Sequence, residues 1–177
     1  MTNYPSGQEP TFCDPDPGTT THRFALGRTT HASLTDPPLV VVAMNPSYAT
    51  EDTSDKTVNR IIEASVEHGY PGWIMLNLYP KRAPSPSDLK PFDPALSAAN
   101  CAAIERVIAA FGISEVLGAW GNPNRVIRHG KADALAALTR LGVRVFHLDD
   151  LTLDNEPRHP SPRTGRLPMA GPKRYLN

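Results

Sequence analysis

The stretch that most constrains the fold spans residues 39–47, where five apolar residues lead through Met44 into Asn-Pro-Ser. A short, continuous, valine-rich run is typical of a strand that is buried on both faces inside a parallel sheet. Pro46 lacks a backbone donor and disfavours helical backbone at Asn45, so we expect the strand to end there. Because open α/β sheets bind ligands at the carboxyl ends of their strands, Asn45 and Ser47 are candidate site residues. An ordinary Asn-Pro-Ser turn is the alternative.

The same pattern recurs along the chain. Three more apolar runs lead into polar or glycine-rich residues, and they lie at 73–76, 116–119 and 143–148. Helical patterns with N-cap residues separate the runs, and they are predicted over 55–68, 93–111 and 124–141. This alternation predicts a three-layer α/β/α sandwich with a mostly parallel central sheet. The residues that follow the strands should then meet at one edge of the sheet.

The ends of the chain and its hydropathy suggest one domain. Residues 1–18 are polar and rich in Pro, Gly and Asp, so we expect a flexible N-terminal segment followed by a single domain over 19–177. A weakly alternating stretch at 22–28 is expected to form an edge strand. The sequence shows no signal peptide and no run of ~20 apolar residues, which predicts a cytoplasmic protein away from membranes. We also expect a monomer.

The charge balance and the cysteines argue against some classes of function. Lys plus Arg and Asp plus Glu number 18 each, which argues against a strongly basic nucleic-acid-binding protein but leaves a local basic patch open. There are 13 Arg and 5 Lys, and Arg is the better residue for bidentate phosphate contacts. The two cysteines, Cys13 and Cys101, form no Cys-x-x-Cys pair, so no metal or cofactor is expected.

The strand ends carry neutral hydrogen-bonding groups rather than a phosphate or nucleophile motif. No Gly-x-Gly-x-x-Gly follows the first strand, and no Gly-x-Ser-x-Gly elbow occurs. The Asn45 and Asn77 amides each present donors and acceptors, which suits reading the edge of a planar heterocycle or holding a water. A neutral imidazole at His159 can donate to a developing oxyanion, whereas a loop histidine satisfied by backbone is the alternative.

In the order of these motifs the sequence resembles the uracil-DNA glycosylase superfamily. Residues 43–47 resemble the Asn-Pro form of the water-activating motif found in its mismatch-specific branch. Asn77 matches the Asn that reads the pyrimidine edge, and Trp120-Gly121 matches the Leu-Trp-Gly-like strand end. His-Pro-Ser-Pro at 159–162 matches the motif that precedes the minor-groove loop in the uracil-specific branch.

The resemblance implies an enzyme that binds DNA, flips a damaged or modified base into the strand-end crevice and hydrolyses its N-glycosidic bond. Asn45 would position the water, and His159 would stabilise the charge on the leaving base. The base-binding residues would be Ser47, Tyr48, Asn77 and Trp120. Contacts to phosphate or DNA would come from Arg82, Ser161, Arg163, Arg166, Leu167 and Lys173, with Leu167 as a wedge. Arg60 is a further candidate phosphate contact outside the glycosylase pattern.

A second resemblance covers nearly the whole chain from residue 20, and it is to the family called domain of unknown function 1643. Its pattern runs through short motifs, namely 23–26, 45–47, 55–60, 69–70, 77–82, 120–121 and 158–160. Within it, Asp55, Thr57 and Arg60 have no glycosylase counterpart. These residues could form a further site, or Asp55 could simply cap a helix and Arg60 be a solvated helix residue.

Two departures from the glycosylase pattern keep a second hypothesis open. Asn45 replaces the Asp of the fastest enzymes and cannot act as a base. Ser47 replaces a Tyr that excludes a 5-methyl group, so substituents at the pyrimidine 5-position should be tolerated. The alternative to an enzyme is therefore a non-catalytic module that binds a nucleotide or a modified base in the same crevice.

Overall fold

The computed structural model describes residues 2–16, 21–83, 85, 89, 91–161 and 167–176. Within these residues the chain is an α/β fold of seven strands and three helices. In chain order the elements are β1 (Phe12–Asp14), β2 (Ala25–Arg28), β3 (Leu39–Ala43), α1 (Lys56–Glu67), β4 (Trp73–Asn77), α2 (Pro94–Phe111), β5 (Glu115–Ala119), α3 (Arg125–Arg140), β6 (Arg144–His147) and β7 (Arg174–Tyr175). None of the helices in the described ranges combines the length and the apolar character needed to cross a membrane.

All seven strands join one sheet, in the order β1-β2-β4-β3-β5-β6-β7. The centre of the sheet is parallel, because β3 pairs with β4 and β5, and β5 pairs with β6. The register places Ala43 level with Asn77 on one side and with Ala119 on the other. The three strands therefore end together, and we call this end of the sheet the carboxyl edge.

The sheet is mixed rather than mostly parallel. Strands β1, β2 and β7 all pair antiparallel to their neighbours. With two to four residues each, they are too short for alternation to distinguish them in the sequence. The alternating stretch at 22–28 does contain β2, but β1 covers its outer side, so β2 is not an edge strand.

The helices begin at the residues that the sequence predicts as caps. Asp55 Oδ1 accepts a hydrogen bond from Val58 N at 2.9 Å, and Asp93 and Asn124 cap α2 and α3 in the same way. Each cap satisfies a backbone N–H that the first helical turn leaves without a partner. Gly112 follows α2 in left-handed backbone, with φ at 60°, and ends it.

Strand alternation divides the buried apolar side chains into two clusters. Val41 and Ala43 belong to the cluster that includes the buried side of α1, whereas Val40 and Val42 belong to the cluster with α2 and α3. All five residues of β3 are buried, as a continuous apolar run predicts for a central strand. The carboxyl edge is therefore carried by strands that are covered on both faces.

The described N-terminal residues are attached to the domain, although 1–18 were predicted to be flexible. The Tyr4 ring is buried and stacks on Trp73 with centroids 6.2 Å apart. Thr2 pairs with Ser54, just before α1, and β1 pairs with β2. The polar composition of residues 1–18 does not reveal this attachment, because one buried aromatic side chain and one short strand are enough to fix the segment.

Candidate functional site

Asn45 lies two residues beyond β3, and backbone carbonyls fix its side-chain amide. Its Nδ2 donates to the carbonyl oxygens of Pro46 and Ala83, both at 3.0 Å. Only the NH2 group can donate to two carbonyls, so the orientation of the amide is determined by its partners. The Oδ1 atom receives no hydrogen bond from the described residues and remains an acceptor for a ligand or a water.

The turn that holds Asn45 is braced by the segment that follows β4. Leu78 N donates to Ala43 O at 2.8 Å, and Ala83 N donates to Pro46 O at 3.0 Å. Pairing between the two chain segments thus continues beyond the ends of β3 and β4. The position of Asn45 is therefore set by the sheet itself.

Asn77, the last residue of β4, is fully buried, and its side-chain amide has no hydrogen-bond partner among the described residues. Both Oδ1 and Nδ2 are unpaired there, whereas the backbone oxygen of Asn77 accepts from Asn100 Nδ2 at 2.8 Å. Leaving a buried polar group unpaired costs about 1–3 kcal/mol, and native proteins leave few such groups. The fold thus holds the Asn77 amide in place, and its donor and its acceptor both lack a partner among the described residues.

His159 follows β6 in the chain and packs against the end of β5. Ser161 N donates to its Nδ1 at 3.2 Å, so the proton of the neutral ring lies on Nε2. Burial lowers the pKa of His159, and the opposing effect of the Asp55 carboxylate is smaller. At neutral pH the ring is therefore neutral, and no described residue accepts a hydrogen bond from Nε2–H.

The loop that leads to His159 is fastened to the end of β5. Gly121 N donates to Pro157 O at 2.8 Å, and Trp120 Nε1 donates to Glu156 Oε2 at 2.7 Å. Lys131 on α3 donates to both carboxylate oxygens of Glu156, at 2.5 and 2.6 Å. Glu156 thus links β5, α3 and the loop just ahead of His159.

The other residues predicted to bind a base are placed differently from Asn77. Trp120 is fully buried in the cluster with α2 and α3, and its indole nitrogen is used by Glu156. Ser47 is half-buried and its backbone oxygen accepts from Arg82, whereas Tyr48 is 56% exposed. The motif locates Trp120 at a strand end, and its side chain lies on the face of the sheet that α2 and α3 cover.

Two of the predicted phosphate or DNA contacts are occupied within the protein. The Arg60 guanidinium donates to the backbone oxygen of Leu167 and pairs with a carboxylate on α1. Lys173 pairs with Glu115, which begins β5, so Lys173 lies at the opposite end of that strand from the carboxyl edge. Lys173 is therefore not at the carboxyl edge, and the Arg60 guanidinium is engaged by groups of the protein itself.

The remaining predicted residues have mixed positions. Arg163 and Arg166 lie outside the described residues. Ser161 orients His159, and its own Oγ is buried without a described partner. Asp55 caps α1, as its alternative interpretation predicts, and Thr57 is half-buried in the first turn of that helix.

Sequence reasoning assigned no role to Arg23, Asn100 and Glu156. Arg23 is 1% exposed, and its Nη1 donates to the Ala49 carbonyl at 2.5 Å. These residues could have been identified in the sequence as charged or amide side chains within an otherwise apolar pattern. Such a residue must be paired when it is buried, and the partner is visible only in the fold.

At the carboxyl edge the fold therefore supplies neutral groups: the Asn45 oxygen, the Asn77 amide and the His159 Nε2–H. Together they can hold a water, read a heterocycle edge and donate to a developing negative charge. In the described part of the chain, no three His, Cys, Asp or Glu side chains are grouped as metal ligands would be.

Over residues 23–161 the chain matches the family described as "Protein of unknown function (DUF1643)". The match includes Asn45, Asn77 and His159. No curated protein and no solved structure matches the chain.

Proposed function

The chain belongs to the DUF1643 family, and we propose that it is a glycosylase similar to the uracil-DNA glycosylases. The proposed reaction is hydrolysis of the N-glycosidic bond of a damaged or modified base in DNA. The observation that carries the proposal is the Asn77 amide, which is held at the carboxyl edge with neither polar atom paired to a described residue. The proposal includes a three-layer α/β/α arrangement like that of the superfamily, supported by the two buried clusters.

In this proposal Asn77 reads the edge of the flipped base. A pyrimidine edge presents an N–H next to a carbonyl oxygen, and a side-chain amide is its complement. The base would supply the partners that Asn77 Oδ1 and Nδ2 lack among the described residues, which recovers the free energy of leaving them unpaired. Because the Asn77 side chain is fully buried in this structure, the residues that cover it must move before a base can reach it.

Asn45 and His159 would divide the chemistry between water and leaving group. Asn45 Oδ1 accepts a hydrogen bond from the water whose oxygen forms the new bond to the sugar C1′. As the C1′–N bond breaks, its electron pair leaves with the base, and His159 Nε2–H donates to the base oxygen that gains the charge. The proton of the water passes to solvent, because a neutral amide cannot hold it. The products are the free base and an abasic sugar.

The absence of a general base at Asn45 limits the expected rate of the reaction. A positioned general base typically contributes ~100- to 10,000-fold, and Asn45 cannot contribute in this way. The remaining rate enhancement comes from orientation of the water and from the donor at His159. We therefore expect slow turnover, best detected as single-turnover cleavage.

A specific observation favours the second candidate, a module that binds a nucleotide or modified base without cleaving it. Arg60 and Lys173 are engaged by groups of the protein itself, and the net charge of the chain is zero. Duplex binding relies on cationic groups that face phosphates. A binding module for a single nucleotide would need fewer of them.

An abasic-site assay separates the two candidates. The substrates are single- and double-stranded oligonucleotides that carry uracil, hypoxanthine, xanthine or a 5-substituted uracil. His159→Ala should lower single-turnover cleavage by ~100- to 1,000-fold and leave affinity nearly unchanged, because its donor acts in the transition state. Asn77→Ala should instead weaken binding of the preferred base.

The controls use residues of the same type. Asn122 lies just beyond β5, is exposed and is hydrogen-bonded to Asp154 at 2.6 Å, so Asn122→Ala should change neither cleavage nor binding. Asn45→Asp would place a carboxylate beside the water, but it would also lose both hydrogen bonds from Nδ2 and set a carboxylate oxygen against the Pro46 and Ala83 carbonyls. This variant should therefore disturb the turn, and the native protein decides between the candidates. If the native protein fails to cleave but keeps base-dependent binding, the binding module is correct. An absence of base-dependent binding excludes both candidates.

A further inference from the structure

Two arginine side chains converge beneath the loop that follows Asn45. The segments 21–23 and 80–82 lie antiparallel, with Arg23 N donating to Pro80 O at 2.9 Å. From these segments Arg23 Nη1 reaches the Ala49 carbonyl at 2.5 Å, and Arg82 Nη1 reaches the same carbonyl at 3.2 Å. Two guanidinium groups therefore share one neutral acceptor.

These two groups have more donors than the described part of the fold uses. A guanidinium carries five N–H donors, and the described hydrogen bonds occupy only Nη1 of each arginine. The Nε atoms of Arg23 and Arg82 are both buried without a partner among the described residues. Arg23 is 1% exposed, so water does not replace the missing acceptors over most of its surface. The cluster is thus rich in buried donors and poor in acceptors.

The two guanidinium charges of the cluster also lie close enough to disfavour each other. Burial and the neighbouring Arg82 charge lower the pKa of Arg23 to about 10, and the raising effects of Cys13, Asp55 and Tyr4 are each smaller. One oxygen of Asp55 is already used by the α1 cap. A group that brought both negative charge and several acceptor oxygens would satisfy both deficits at once.

The cluster adjoins the candidate site. Arg82 precedes Ala83, whose carbonyl orients Asn45, and Arg82 Nη1 also donates to the Ser47 carbonyl at 3.1 Å. Ser47 is two residues from Asn45, and two residues of chain span at most ~7 Å. A ligand whose sugar lay beside Asn45 could therefore place an adjoining phosphate near the guanidinium groups.

We propose that the Arg82 guanidinium, backed by the buried Arg23, binds a phosphate group of the ligand whose base Asn77 reads. This inference rests on the proposed function for the identity of the ligand. Arginine suits the role because its planar fork donates two parallel hydrogen bonds to phosphate oxygens. The phosphate is either the monoester of a free nucleotide or a diester of the DNA strand, and both present the same oxygens.

The test measures binding at constant ionic strength with three kinds of probe. The first is inorganic phosphate, the second is deoxyuridine compared with its 5′-monophosphate, and the third is a short single-stranded oligonucleotide containing one deoxyuridine. In the native protein the phosphate should tighten binding of the nucleotide over the nucleoside by about 10- to 100-fold, as expected for charge-assisted hydrogen bonds. A gain with the monophosphate indicates a nucleotide ligand, and a gain only with the oligonucleotide indicates DNA.

Arg82 is the residue to vary, because replacing the buried Arg23 would change the packing of the fold as well as the cluster. Arg82→Gln should remove the phosphate-dependent gain, and Arg82→Lys, which keeps the charge but not the fork, should recover only part of it. Arg106→Gln is the matched control, because Arg106 is exposed and pairs with Asp14 rather than with a residue of the arginine cluster. If Arg82→Gln does not fold, the phosphate-dependent gain in affinity can still be compared between Arg82→Lys and the native protein.

The test can reject the phosphate site and the proposed function separately. If the native protein binds deoxyuridine through Asn77 but gains nothing from phosphate, the phosphate site is overturned and base recognition stands. If phosphate binds through Arg82 while Asn77→Ala changes no affinity, the phosphate site stands and the proposed function fails. Equal weakening by Arg82→Gln and Arg106→Gln overturns the phosphate site.

Discussion

Gly121 and His159 are in close contact: a Cβ atom at position 121 would lie 3.2 Å from the His159 Cβ. The backbone at Gly121 is also left-handed, with φ at 66°. Glycine at this position thus permits both the turn that ends the β5 segment and the close approach of the histidine loop. The placement of His159 depends on the absence of a side chain at Gly121.

The first prediction concerns Gly121→Ala. The left-handed backbone should cost roughly 1–2 kcal/mol of unfolding free energy, and the new methyl group should displace His159. Gly142→Ala is the control, because its φ is 70° and a Cβ added there would meet no described atom within 4 Å. Urea unfolding should show similar losses for both variants, whereas only Gly121→Ala should shift the NMR signals of the His159 ring. Unchanged signals would contradict the proposed contact.

The second prediction concerns the stability of the protein at acidic pH. Burial lowers the pKa of folded His159 below its ordinary value of 6.5, so the unfolded chain binds a proton first as the pH falls. Relative to His159→Gln, the native protein should therefore lose stability as the pH falls through 6.5, until the folded histidine also becomes protonated. Above that window the difference should not depend on pH. Paired urea titrations from pH 7.5 downward, in steps of about half a unit, measure it; a flat difference excludes the shifted pKa.

The third prediction concerns Glu156, which bonds both Trp120 and Lys131. Glu156→Gln keeps an acceptor for the indole but leaves Lys131 without its ion pair. Breaking a buried pair costs about 3–5 kcal/mol, and we expect a smaller loss here because both side chains retain some exposure. The His159 loop should also loosen, which faster amide exchange at Arg158, His159 and Ser161 would reveal.

A matched substitution shows whether burial decides the size of this effect. Glu105→Gln breaks a Glu–Arg pair whose side chains are 39% and 62% exposed, so it should cost less than ~1 kcal/mol. Equal losses of stability for Glu105→Gln and Glu156→Gln would show that burial does not decide the size of the effect.

The sequence was informative where several local signals coincided. At β3 a valine-rich run ends in Asn-Pro, and at α1 an Asp cap precedes apolar residues at helical spacing. Both elements occur where these signals place them. In such segments backbone preference and burial point to the same structure, so the sequence pattern is sufficient.

The sequence was less informative where the answer depends on distant partners. Nothing near Lys173 shows that it pairs with Glu115, and nothing near Trp120 shows on which face of the sheet the indole lies. The antiparallel placement of β7 likewise depends on β6 rather than on its own two residues. These features follow from the arrangement of elements, which a local pattern does not contain.

The stacking of Tyr4 on Trp73 has a practical consequence for choosing where to cut the chain. The family match begins at residue 23, but the folded unit already includes Tyr4 and β1. A recombinant fragment trimmed to the matched residues would uncover the Trp73 ring and the outer side of β2. Unpaired strand edges recruit other chains, so such a fragment should aggregate during purification. The boundary of the family is therefore a poor guide to the boundary of a well-behaved recombinant protein.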